Sequence, residues 1–262
     1  MPQSEALQKI ISNMETVIVG KREVIEYALI TLLSDGHLLL EDVPGVFMND
    51  ILLADEINRT SPKTQASLLE AMEERQITVD GRTMPLPALF MVIATQNPVE
   101  QLGTYRLPEA QLDRFMMKVS MGYPEKEREE ADIVRRALNG EAVKQLAPVT
   151  AREDIIEMKK EIQGITVHDD IMDYAVEIAR NTRKSRYLTL GASPRAAIAL
   201  VRAARSRAYL EGRSFTTPED VAALAQPVLL HRLILSAQAR LEGKKEKDVL
   251  QEAMRAAKVP VL

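Results

Sequence analysis

The 262-residue chain has no cysteine and no tryptophan, and aromatic residues make up only 4% of it. Without cysteine there is no disulfide scaffold, no thiolate metal site and no cysteine nucleophile. The three histidines, His37, His168 and His231, lie far apart with no ligand spacing, which argues against a zinc site. No apolar run approaches the ~18 residues that would span a bilayer. The beginning, Met1-Pro2-Gln3-Ser4-Glu5, is polar and acidic, with no secretory core behind it. A soluble protein of a reducing, cytoplasmic compartment is therefore expected. Basic residues do not dominate either: 34 Lys and Arg face 38 Asp and Glu, for a net charge of −4. A protein that coats nucleic acid normally carries the opposite balance.

What is present is aliphatic. Hydrophobic residues reach 46%, including 12 methionines, enough for a sizeable core. The length suits two domains. From Ile10 to about Phe115, short apolar runs alternate with helical patterns. The runs His37–Glu41, Ile51–Ala54 and Leu89–Ala94 are continuous rather than alternating, as in strands covered on both faces. Between them Ser61-Pro62 opens a helix, with serine as cap and proline at the first helical position. Strand–helix–strand alternation indicates an α/β domain. The alternating stretch Gln76–Pro85 around Asp80-Gly81 predicts a hairpin.

Beyond a boundary near Tyr123 strand signals fade, so residues 1–123 form the α/β core and 124–262 an all-helical domain. Pro124–Leu138 is charged and amphipathic. Thr150–Glu153 reads as a capping box, Ser193-Pro194 opens an Ala-rich helix ending near Gly212, and Thr217–Asp220 caps another.

Five segments carry chemistry. Asp55-Glu56 places two carboxylates at the carboxyl end of a buried strand, where ligands bind in open α/β sheets. Adjacent strand side chains point to opposite faces, so one acid can hold Mg2+ and the other orient a water. Leu40–Val46 begins like a phosphate loop. However, Phe47, Met48 and Asn49 stand where Gly, Lys and Ser/Thr are required. Asn97, after the strand ending in Ala94-Thr95-Gln96, offers an amide beside the acids. Arg114 closes the short helix of Leu107–Phe115. Arg195 sits in a helical first turn, against the preference of the helix dipole. Taken singly, each has a plain reading: solvated acids, an Asn-Pro turn, a surface ion pair.

Taken together and in this order, these segments resemble the MoxR family of AAA+ ATPases. The matching text is His37–Gly45, Leu52–Arg59, Leu68–Gln76, Ala94–Pro98, Leu107–Phe115 and Gly191–Arg195, spanning nearly the whole chain. The resemblance implies an AAA+ parallel sheet flanked by helices and followed by a helical lid, with ATP and Mg2+ as ligands. By that resemblance Asp55 and Glu56 are the Walker B pair, the first for Mg2+ and the second for the attacking water. Asn97 is sensor 1, Arg114 the arginine finger for the next subunit, and Arg195 sensor 2. Val19 and Gly20 border adenine, and Pro44 and Gly45 begin the phosphate loop. The hairpin resembles the family's insertion before sensor 1. A homo-oligomeric ring, a hexamer by analogy, and a client with a von Willebrand A domain are implied as partners.

One departure is large. The family carries the rest of Walker A, its helix, another strand and an insertion between Gly45 and Asp55. This sequence has nine residues there. Parallel strands normally need a crossover of about a dozen residues, so Leu38–Glu41 and Ile51–Ala54 are not expected to run parallel in one sheet. These features lead to the expectation that a segment is left out between Val46 and Phe47. A nucleotide-dead scaffold is the alternative if the short join is real. A nucleic-acid motor is a third reading, resting on Arg195, Arg202, Arg205 and Arg207. The net charge and the lack of interleaved aromatics count against it.

Overall fold

The computed structural model describes residues 2–41, 50–79, 82–96, 107–124, 126–139 and 146–260. Two helices open the chain, α1 (Pro2–Glu15) and α2 (Arg22–Leu33). A parallel sheet follows, made of β1 (Leu38–Glu41), β2 (Ile51–Ala54), β5 (Met91–Thr95) and β6 (Met117–Ser120) in the order β2-β5-β1-β6. Helix α3 (Pro62–Glu74) and the antiparallel hairpin of β3 (Gln76–Val79) and β4 (Arg82–Pro85) lie between β2 and β5. The short α4 (Glu109–Leu112) precedes β6. The hairpin expectation holds, although Asp80 and Gly81 themselves lie outside the described residues.

The continuous apolar runs serve two faces. Leu38, Met91, Met117 and Val119 join the cluster formed with α1, α2 and the later helices. Leu39, Val92 and Ala94 face the other way, onto Leu69 and Met72 of α3. Helix α3 starts as expected: the Ser61 hydroxyl accepts from the Thr64 N–H at 3.2 Å and Pro62 takes the first turn.

Strands β1 and β2 are parallel members of one sheet, which corrects the expectation that they could not be. They do not pair with each other; β5 lies between them, bonded to both. The return path spans one four-residue strand and two strand spacings, roughly 16 Å. Nine extended residues reach about 30 Å. The usual minimum of about a dozen residues reflects crossovers that most often carry a helix. The join between Val46 and Phe47 lies outside the described residues.

Helices α5 (Glu127–Asn139), α6 (Arg152–Gln163), α7 (Asp169–Lys184), α8 (Pro194–Leu210), α9 (Pro218–Leu229), α10 (Ala237–Leu241) and α11 (Glu246–Arg255) complete the fold. Ser193 caps α8 as read, and Thr217 stands at the cap position of α9, where its N–H donates to the Asp220 carboxylate at 2.9 Å. The cap of α6 is shifted by one residue: the Ala151 N–H donates to Asp154 at 2.9 Å, with Ala151 in the cap position. Glu153 is therefore not its acid. The second part is also not wholly helical. A two-stranded ribbon pairs β7 (Leu188–Leu190) with β8 (Ile234–Leu235). These strands are too short for a periodic signal. No helix among the described residues is long and apolar enough to cross a membrane.

Candidate active site

Asp55 and Glu56 follow the last residue of β2, at the carboxyl edge of the sheet. The Thr95 hydroxyl, at the end of neighbouring β5, joins them. It donates to Asp55 Oδ1 at 2.6 Å and accepts from the Glu56 N–H at 2.8 Å. Glu56 is held in the left-handed region at φ 46°. That conformation costs a non-glycine residue on the order of 1 kcal/mol. Here the Thr95 bond and the 3-10 turn Ile57–Arg59 hold it in place. The Glu56 carboxylate lies 3.5 Å from Arg59. Thr95 lies within the Ala94–Pro98 motif, where nothing local marks it; only the register of β2 against β5 brings its hydroxyl to the acids.

Val19 and Gly20 lie in the turn between α1 and α2. Gly20 has φ +69°, a left-handed conformation that favours glycine, and the flexible Glu129 carboxylate lies 2.6 Å from where a Cβ would stand. The neighbouring Lys21 ammonium donates to the Tyr123 carbonyl at 2.9 Å. This places the turn beyond the end of β6, on the same sheet edge as the acids. Pro44, Gly45 and Asn97 lie outside the described residues.

Arg114 and Arg195 are elsewhere. Arg114 lies between α4 and β6, before the amino end of that strand, where the Met116 N–H donates to the His37 carbonyl at 2.8 Å. Both arginines converge on Glu73 at the end of α3. Arg114 Nε and Nη2 reach Glu73 Oε2 at 2.9 and 2.8 Å, and Arg195 Nη2 reaches Oε1 at 2.9 Å. The Arg114 hydrogen bond, helped by Arg195, holds the Glu73 carboxyl below the usual range. Together they border a cavity of ≈ 370 Å³ that also meets His37, Arg202 and Arg232.

Strands β2 and β6 are the two edges of the sheet. Three strand spacings sideways and about five residues lengthwise put Asp55 roughly 20 Å from Arg114. That exceeds the reach of one arginine. The sequence motifs therefore divide into an acid site and an arginine site on opposite sides of one chain. Glu73 and Arg232 carried no assigned role in the sequence, because their partners are distant in the chain.

The proposed basic stripe on α8 does not form a single free surface. Arg195 is paired with Glu73, while Arg207 lies 3.0 Å from Glu211 and 3.5 Å from Asp220.

The donor set fits Mg2+ in part. A strand-end aspartate with one oxygen turned to Thr95 leaves the other for a hydrated cation, which commonly takes one or two carboxylates plus phosphate oxygens. Among the described residues no cluster of three or more potential metal ligands exists, so phosphate would have to complete the shell. For the phosphates themselves, the 262 residues supply neither the lysine nor the hydroxyl of the usual loop.

A four-stranded parallel sheet of this order, with paired acids on its carboxyl edge and a helical lid, defines an AAA+ ATPase fold. Comparison with known proteins agrees. The family described as ATPases associated with various cellular activities matches residues 30–117, and the AAA lid domain matches 180–253. YeaC of Bacillus subtilis, an uncharacterised protein, is 41% identical, covering 97% of this chain and 95% of its own. The chaperone MoxR1 of Mycobacterium tuberculosis is 34% identical, covering 97% of this chain and 82% of its own. A crystal structure of a candidate ATPase from Cytophaga hutchinsonii superposes with a TM-score of 0.91 at 30% identity, over 98% of this chain and 96% of that one. The chain belongs to the MoxR family of AAA+ ATPases. The YeaC alignment runs over 305 positions, more than the 262 residues here. That relative thus has dozens of residues without a counterpart in this sequence.

Proposed function

We propose that this chain is the protomer of a cytoplasmic AAA+ ring, a hexamer by family analogy, that couples ATP hydrolysis to remodelling of a partner protein. The observation that carries this reading is the separation of the acid site from the arginine site. In a single chain neither is complete. In a ring, Arg114 and Arg195 of one protomer would face phosphate oxygens held by the next. The family offers Asn97 as sensor 1, and Val19 and Gly20 beside adenine. Asp55 would hold Mg2+, and Glu56 would polarise the attacking water. Phosphoryl transfer depends chiefly on such positioning and charge stabilisation, and an arginine supplied in trans is worth on the order of 10³–10⁵ in rate. The family resemblance implies a client with a von Willebrand A domain.

The reading requires a phosphate loop, and we place its missing part between Val46 and Phe47. Support comes from the motif that breaks off after Pro44-Gly45 and from the extra residues in YeaC. A second reading follows from the sequence as it stands: with Phe47, Met48 and Asn49 in place of the phosphate-binding residues, the chain would be a nucleotide-dead scaffold. The intact mass of the protein purified from its source, together with steady-state ATPase activity, separates the two. A mass clearly above 29.3 kDa, with turnover abolished by Glu56→Gln, is expected. A mass of 29.3 kDa without ATP binding would leave the scaffold.

A further inference from the structure

Arg232 lies in the lid, after α9, and is only 7% exposed. A guanidinium has five N–H donors, and all five are used here. Nε donates to the Asp113 carboxylate at 2.6 Å. One terminal nitrogen donates to the carbonyls of Asp113 at 3.0 Å and Phe115 at 2.9 Å. The other donates to the carbonyls of Met116, at 3.2 Å, and Val228. Four of the five bonds thus end on residues 113–116, the loop that carries Arg114. A buried charge is tolerated when it is paired and fully hydrogen-bonded, and removing its partner is costly.

The other Asp113 oxygen accepts from the Ser193 hydroxyl at 3.2 Å. Ser193 is also the cap of α8, accepting from the Ala196 N–H at 3.3 Å. Arg195 follows two residues later. Asp113 is therefore one residue from Arg114 and one hydrogen bond from the helix start that carries Arg195. Nearby, the His231 ring also reaches the Phe115 carbonyl at 3.1 Å.

We infer that Arg232 and Asp113 are positioning residues that lock lid to core, so that Arg114 and Arg195 are presented to the neighbouring protomer as one rigid pair. Glu73 fills the space between the two guanidinium groups in the free chain. Movement of the lid then cannot displace Arg195 without also displacing the Arg114 loop. The inference rests on the reading of both arginines as serving the next protomer's site.

The 262 residues hold no cysteine, which makes a direct test possible. Spin labels are attached at Lys63→Cys on α3 and Asp173→Cys on α7, both exposed, and the distance between them is measured in the full chain. The parent should give one narrow distribution. Arg232→Met should broaden or shift it, and so should Asp113→Asn, which keeps the volume and carries the test if Arg232→Met does not fold. An unchanged distribution in both variants overturns the lock.

ATPase kinetics add a readout that a purely structural role would not produce. Arg232→Met should lower kcat at least about tenfold with KM within about twofold, as for loss of a group acting only in the transition state. Mixing it with Glu56→Gln should restore turnover, since each protomer then supplies what the other lacks. An unchanged kcat, or a loss that mixing does not repair, overturns the positioning role. A parent that hydrolyses no ATP overturns the proposed function instead, and the distances still decide the lock.

Discussion

His37 shows how one buried side chain sets a pH limit on this fold. It lies at the amino end of β1, 5% exposed. Its Nδ1 accepts from the Val92 N–H at 2.9 Å, so the proton sits on Nε2, facing the Met72 carbonyl at 3.3 Å. The ring ties the sheet to the end of α3, next to Glu73. Burial lowers its pKa to about 4. The unfolded chain binds a proton here below about pH 6.5 and the folded chain does not until about pH 4. Its contribution is thus complete above about pH 6.5 and is lost as the pH falls toward 4. The full loss is about 3 kcal/mol. Denaturant unfolding from pH 7.5 to 4.5 should show this decline, and His37→Gln should flatten it. Burial lowers the His231 pKa too, in the same direction. An equal slope in parent and variant would assign the acid sensitivity to other groups.

Among the elements, α3 carries more of the site than its amphipathic pattern suggests. Its apolar face, Leu69 and Met72, covers the sheet, and its last turn brings Glu73 to both arginines. The helix is aimed by its first residues: Ser61 caps it, and the Gln65 amide donates to the Ile57 carbonyl at 2.9 Å, tying it to the turn after Glu56. The acid and arginine sites are thus connected through the two ends of one helix. Ser61→Ala should cost about 1 kcal/mol in thermal or denaturant unfolding, with little change in the strands. A loss near zero would show that Pro62 and the Gln65 bond hold the helix start without the cap.

For the whole molecule, the opposed sites make the interface between protomers the functional unit. Arg114→Ala and Glu56→Gln should each be inactive alone. Mixed, they should recover activity, because an intact acid site can then meet an intact arginine. Turnover across mixing ratios, with mixed rings verified by native mass measurement, tests this. No recovery at any ratio would count against arginines acting between protomers. Within the protomer, one apolar cluster runs from α1 and α2 through the sheet into α7, α8 and α9. The two parts read from composition are therefore packed together across the boundary near Tyr123.

Much of this was legible along the chain because it rests on local chemistry. The runs at Leu38, Ile51 and Met91 read as strands covered on both faces, since they are short and no polar residue interrupts them. Ser61-Pro62, Ser193-Pro194 and Thr217-Pro218 mark helix starts through hydrogen bonds made within four residues. Asp55-Glu56, Arg114 and Arg195 stood out by residue type and order, and the resemblance gave them roles. What the tertiary structure decided is which of them meet. Strand order, not strand composition, lets β1 and β2 run parallel despite a short link, with β5 inserted between them. Register brings Thr95 to the acids. Packing within the core brings Glu73 to Arg114, 41 residues away, and packing of lid on core brings Arg232 to Asp113, 119 residues away. Such contacts follow from burying a common apolar surface, and a linear pattern carries no record of which distant polar groups that burial leaves face to face.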